Sequence, residues 1–276
     1  MNVAIIGLGL MGGSLALSLK KLDLITSIVG SDHNEHHQKE ALRLGLVERI
    51  VDLTEVKKAD IIFLAIPVDG IIKALHNMRD IDENTTIIDL GSTKELIIDS
   101  IPAEIRKNFI AAHPMTGTEN FGPSAAVEGL YEDQVVVLCD LEESGEHQQK
   151  VARKIFKHLG MRKHFMRAKE HDRHAAFISH MPHAIAYSLA NTVMHQEHKE
   201  NILTLAAGGF RSMSRLAKSS PNMWEDIFRQ NKHNLIEAIE LFESELSILK
   251  ESIKNDTWDK VHENLSAGKK LHDILD

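Results

Sequence analysis

The feature that most constrains this chain is its beginning. An apolar run breaks into Gly7-x-Gly9-x-x-Gly12 and resumes as a helix-like pattern to Lys20. A strand, a glycine turn and a helix are expected in that order, with the helix N-terminus presenting free amides and a partial positive charge to an anion. Gly7 permits the tight turn, Gly9 lets the backbone approach a pyrophosphate, and Gly12 lets the helix pack closely on the sheet. Leu10 and Met11 complete the candidate cofactor-binding loop. A second short run, Ser27 to Gly30, leads to Asp32, 20 residues after Gly12. A carboxylate there accepts both ribose hydroxyls of an adenosine and repels a 2′-phosphate, so NAD is the expected cofactor. The alternative, a glycine turn of purely structural use, has no need of Asp32.

At 276 residues the chain makes one large or two ordinary domains and buries about three-quarters of its unfolded surface. The single cysteine, Cys139, lies in the apolar run Gln134 to Cys139 and reads as a reduced, buried strand residue. A formal net charge of −8 argues against nucleic-acid binding. No apolar stretch approaches about 18 residues and no basic leader precedes the first strand, so a cytoplasmic protein without membrane contact is expected. His33, His36 and His37 sit in polar surroundings and read as surface residues.

Apolar runs alternate with helical patterns through Asp60 to Ile66, Thr85 to Leu90, Asn108 to Ala112, Gln134 to Leu138 and Met161 to Met166. That pattern specifies an α/β, Rossmann-type, mostly parallel sheet domain over residues 1–167. The nearly continuous apolar character of Ile61 to Ile66 and Thr86 to Asp89 suits central strands covered on both faces. From about Ala168 the pattern is helical, with breaks at Gly208-Gly209 and Ser219-Ser220-Pro221, giving a second, all-helical domain over 168–276. Leu235, Ile239, Phe242, Leu246, Leu249 and Ile253 line one seam of a long helix. This seam packs either within the monomer or against a second copy, and a homodimer through these helices is the expectation.

Ligands of open α/β sheets bind beyond the carboxyl ends of the strands. Two strands lead into Gly91-Ser92-Thr93-Lys94 and His113-Pro114-Met115-Thr116-Gly117-Thr118-Glu119. Ser92 and His113 are therefore expected side by side near a nicotinamide, with the imidazole as general base. The helical region offers His171, His174, His180 and His183, then Arg211 and Arg215. On a regular helix His174, His183 and His180 lie about 60°, 120° and 180° from His171, so no shared metal ion is expected. One or two of these histidines and one arginine suit an anionic substrate.

Taken together, GLGLMGGS, GSTK at 91–94, HPMTGTE at 113–119, HDRHAAFISHMPH at 171–183 and FRSMSRLAKSSPNMWEDIF at 210–228 closely resemble prephenate dehydrogenase, the oxidative decarboxylase of tyrosine biosynthesis. The resemblance implies an NAD-dependent enzyme converting prephenate to 4-hydroxyphenylpyruvate. It makes His113 the base for the ring hydroxyl, Ser92 its orienting neighbour, His183 a substrate contact, Arg215 the anchor of the ring carboxylate, and Glu119 a gating or orienting group. Arg211 is placed one helical turn before Arg215 on the same face, and Thr116 stands where the family often has alanine, giving a more polar pocket. The chain ends soon after its last helix, so any tyrosine feedback is expected at the active site. Arogenate or cyclohexadienyl dehydrogenase activity remains open, as do a β-hydroxyacid dehydrogenase using Lys218 and a dinucleotide-binding sensor without turnover.

Overall fold

A computed structural model describes residues 1–275. Strand β1 (Asn2–Ile6), the glycine turn and helix α1 (Leu10–Leu19) open the chain, followed by β2 (Ser27–Ser31) and α2 (Glu35–Arg43). Asn34 caps α2 through its side chain, which accepts the amides of His36 and His37. A short helix α3 (Leu53–Val56) precedes β3 (Ile61–Leu64), α4 (Val68–His76), β4 (Thr86–Asp89) and α5 (Glu95–Asp99). Then come β5 (Phe109–Pro114), β6 (Val135–Cys139), α6 (Glu146–His158) and β7 (Arg162–Met166).

The seven strands form one sheet in the order β2-β1-β3-β4-β5-β6-β7. All neighbours are parallel except β5 and β6, which pair antiparallel with His113 opposite Val137 and Pro114 opposite Val136. Because side chains alternate along a strand, Val3, Ile5, Phe63, Ile88 and Ile110 pack on one face. Ala4, Ile62, Leu64, Ile87 and Phe109 pack on the other. Both faces are covered, which explains why β3 and β4 read as unbroken apolar runs. Cys139 is buried in β6, where burial raises its thiol. The connection between β5 and β6 folds back over α1: Tyr131 donates to the Met11 carbonyl at 2.7 Å, and the Val127 amide donates to Ser14 at 2.9 Å.

From Ala168 the chain is helical: α7 (Ala168–Ala175), a π-helical turn at Ala176–His180, α8 (Met181–Met194), α9 (Lys199–Thr204), α10 (Gly208–Ser214), a 3-10 turn at Arg215–Lys218 and α11 (Pro221–Gln230). Gly208 and Gly209 lie inside the start of α10 rather than between helices. The π turn breaks the regular 100° spacing, so His171, His180 and His183 do not share one regular helical wheel.

The chain divides into two compact units, and the first extends through Asn231, so α7 to α11 belong with the sheet. The second begins at Lys232 and consists of α12 (Lys232–Lys254), α13 (Trp258–Lys269) and α14 (His272–Leu275). Along α12, Leu235 is buried, but Leu246 is 53% and Ile253 47% exposed. Among the described residues no helix is long and apolar enough to cross a membrane.

Candidate active site

The glycine turn has the geometry a dinucleotide needs. Gly7 adopts φ +94°, and a Cβ there would meet the Ala65 carbonyl at 2.3 Å. A Cβ on Gly12 would lie 1.9 Å from the Gly7 carbonyl, so only glycine lets α1 approach the turn this closely. Gly9 faces open space, the cradle a pyrophosphate would fill. The first turn of α1, with Leu10 and Met11, has no acidic side chain and no side-chain cap, leaving its positive end to an anion. Asp32 follows β2 with its carboxylate largely enclosed, accepting the Leu8 amide at 2.8 Å and the Asn34 amide at 2.9 Å. These bonds hold it at the edge of the turn, and the residues present fit NAD.

At the carboxyl ends of β4 and β5 lies a buried polar cluster. Lys94, fully buried, forms an ion pair with Asp89 and donates to the Ala112 carbonyl at 2.9 Å, next to His113. Asp89 in turn accepts the amides of Ala112 at 3.0 Å and Gly91 at 3.1 Å. This network ties the GSTK segment to the last turn of β5. Burial pushes the Asp89 carboxyl up, against the pull of Lys94.

His113 is part of β5 itself, one of its last two residues rather than the first beyond it. Its Nδ1 lies 2.8 Å from Nε2 of His171, and Nδ1 of His171 lies 2.7 Å from Asp172. The hydrogen-bond partner of the imidazole is thus His171, delivered by α7. Ser92 is half-buried on the segment after β4, without a hydrogen bond to His113. Asp172 also accepts the amides of Lys94 at 2.8 Å and Glu95 at 2.9 Å. Burial holds the imidazole of His113 well below its ordinary range, and His171, Lys94 and His180 push in the same direction.

His180, at the end of the π turn, is fully buried; its Nδ1 lies 3.0 Å from the Asn231 amide nitrogen, which also donates to the Asp172 carbonyl at 2.6 Å. Burial, with the neighbouring His171 and His183, drives its imidazole down to about 4 despite Asp172. His183 stacks on Trp224 with ring centroids 3.6 Å apart, and Trp224 also meets His180 edge-on. Burial lowers His183 as well. Two buried donors or acceptors of this wall, Nε2 of His180 and Nε1 of Trp224, have no hydrogen-bond partner among the described residues.

Arg215 begins the 3-10 turn and pairs with Glu119 at 3.1 Å. The Glu119 carboxyl is held below its usual range by its own backbone amide and by Arg215. Arg211 lies on α10 and donates from Nε to the Ala206 carbonyl at 3.1 Å, so the two arginines occupy different helical elements and different surroundings. Lys218 is exposed at the end of the same turn as Arg215. Thr116 donates its hydroxyl proton to the Leu130 carbonyl at 3.1 Å. Among the described residues no three His, Cys, Asp or Glu side chains converge as metal ligands.

Sequence reasoning passed over Lys94, Asp172 and Trp224 as participants, and offered His171 only among the histidines suited to contact the substrate, not as a partner of His113. Each stands inside a quoted motif, yet nothing in a local pattern distinguishes a buried lysine or aspartate from a solvated one.

Residues 15–164 match the family model described as prephenate dehydrogenase, nucleotide-binding domain, and residues 167–267 match prephenate dehydrogenase, dimerization domain. The chain is 30% identical over 283 residues to prephenate dehydrogenase of Bacillus subtilis, covering 99% of this chain and 76% of that protein. It is also 30% identical over 275 residues to cyclohexadienyl dehydrogenase of Zymomonas mobilis, covering 98% and 94%. Among solved structures, prephenate dehydrogenase from Aquifex aeolicus in complex with hydroxyphenyl propionate and NAD+ superimposes with TM-score 0.93 at 31% identity, covering 100% of this chain and 98% of that one.

Proposed function

The chain belongs to the prephenate dehydrogenase family, and from that premise we propose that its site oxidises and decarboxylates prephenate to 4-hydroxyphenylpyruvate in tyrosine biosynthesis. NAD supplies the hydride acceptor when bound. The observation that carries the assignment of roles is the placement of His113: partly buried, next to last in the strand beside the GSTK segment, with Nδ1 against His171 and its imidazole lowered by burial. A neutral imidazole in that position takes the proton of the ring hydroxyl as hydride departs. Loss of the ring carboxylate as carbon dioxide then restores aromaticity, so the protein positions the substrate and accepts one proton.

Gly7, Gly9, Leu10, Met11, Gly12 and Asp32 hold the dinucleotide. Ser92 lies at the nicotinamide side and contacts the ring hydroxyl. Arg215 anchors the ring carboxylate through two parallel hydrogen bonds. Its pairing with Glu119 means the substrate exchanges one carboxylate partner for another, so Glu119 acts as a gate. His183, braced by Trp224, contacts the substrate. Residues 1–167 form the dinucleotide domain and 168–276 the substrate and dimerisation domain, the protein works as a cytoplasmic homodimer, and the exposed part of the α12 seam is covered by the second copy.

Mixing the protein with prephenate and NAD and following the absorbance of reduced nicotinamide tests this reading. Turnover with prephenate supports it. Turnover confined to arogenate moves the protein to the amino-acid branch of the same chemistry, and no turnover with either substrate rejects it.

A further inference from the structure

His113 has two ring nitrogens, and Nδ1 is taken by His171. Only Nε2 is left for a substrate. If His113 is the base, Nε2 must be bare, and a neutral imidazole then carries its single proton on Nδ1. Nε2 of His171 must accept that proton across 2.8 Å, which puts the proton of His171 on its own Nδ1, 2.7 Å from Asp172. Asp172 is suited to receive it, because its two oxygens already accept the backbone amides of Lys94 and Glu95 and present lone pairs rather than a proton. The two backbone amides at the start of α5 and the two imidazoles then all donate toward Asp172, which accepts from both sides.

We propose that His171 and Asp172 are positioning residues for the oxidation step: they lock His113 in the tautomer with its proton on Nδ1 and aim Nε2 at the substrate hydroxyl. The inference rests on the reading of His113 as the base. The balance is simple. The hydroxyl proton of the substrate moves to Nε2, the carbon bearing that hydroxyl becomes a carbonyl as its hydride departs, for which NAD would be the acceptor when bound, and the resulting imidazolium keeps its Nδ1 proton bonded to His171 until solvent removes the new one. The charged and titratable groups around His113 are His171 and Asp172 from α7, Lys94 and Asp89 from the β4 end, and His180 from the π turn. Asp172 is the anion reached through His171, so the pair offers the transient cation a directed negative end without placing a carboxylate against the base.

The test uses the full-length protein. Nitrogen-15 histidine spectra, with His113 assigned by its loss in His113→Asn, should show the proton of His113 on Nδ1; a resting tautomer with the proton on Nε2 overturns the proposal even if no variant is made at 171. In turnover, His171→Phe should lower kcat by about 10-fold to 100-fold, less than the roughly 10²–10⁴-fold typical of losing the general base itself, with the Michaelis constants for prephenate and NAD within about threefold of the parent. His171→Gln, whose side-chain carbonyl can still accept from Nδ1, should recover most of that loss. Equal losses in the Phe and Gln variants, or an unchanged kcat in the Phe variant, overturn the positioning role. Should His113→Asn itself retain full turnover, the base assignment fails instead, which keeps the two conclusions separable.

Discussion

At the scale of single residues, the site is built from groups whose charge is controlled by burial. His113→Asn removes the only proton acceptor assigned to the ring hydroxyl, so turnover should fall about 10²–10⁴-fold while prephenate binding, measured by equilibrium titration, survives. Arg215 and Arg211 are separated by the same logic. Hydrogen bonds to charged groups contribute about 1.5–3 kcal/mol, so Arg215→Ala should raise the Michaelis constant for prephenate at least about tenfold. Arg211→Ala should act mildly, because Arg211 is held by a backbone carbonyl outside that pair; the reverse order of the two kinetic effects would move the carboxylate anchor to Arg211. His180 gives a stability prediction with a defined sign. Its imidazole is held down at about 4 in the folded chain, against an ordinary value of about 6.5 when unfolded. Between those values the unfolded chain binds a proton that the folded chain refuses, so its contribution is complete above about pH 6.5 and drains as pH falls toward about 4. At about 1.4 kcal/mol per pKa unit this is a few kcal/mol, and the melting temperature should fall over that window, less steeply in His180→Gln. The sequence marks His113 and Arg215 through their motifs, but the enclosure of Lys94, His171 and His180 depends on partners 78, 58 and 51 residues away in the chain.

At the scale of elements, the strand, glycine turn and helix were readable because Gly7 and Gly12 are required by backbone geometry that no other residue satisfies, while Gly9 keeps open the space beside them. Gly12→Ala should abolish NAD binding or unfold the turn, since its Cβ would stand 1.9 Å from the Gly7 carbonyl; calorimetric titration with NAD, together with a melting curve, separates the two outcomes. Asp32 is fixed at the edge of that turn by two backbone amides, so NAD should be preferred over NADP in catalytic efficiency, and a preference for NADP would show that its carboxylate does not face the ribose. The central strands were equally readable, being apolar on both faces. What periodicity missed lies in the helical region. The π turn at Ala176–His180 adds a residue to a turn without altering local composition, and a 3-10 turn over Arg215–Lys218 takes over from α10 at Arg215 itself. Both irregularities occur where candidate substrate residues are presented, the positions at which local rules are most often overridden by tertiary packing.

At the scale of the whole molecule, the change from β-branched runs to helical periodicity near Ala168 coincides with the start of α7, but the compact units divide after Asn231. The second compact unit, beginning at Lys232, was visible only as a seam whose partner the sequence does not name. Leu246 and Ile253 remain half exposed along it, and closed two-fold assemblies are the commonest way such faces are covered. Leu246→Glu should therefore shift light-scattering mass toward the monomer, and a monomeric parent protein at micromolar concentration would reject the assembly. The exposed seam carries a further consequence, which belongs to mass action. If folding and association are one event, each tenfold dilution withdraws about 1.4 kcal/mol of apparent stability, so the temperature at which this enzyme loses structure becomes a property of how much of it is present as well as of its sequence.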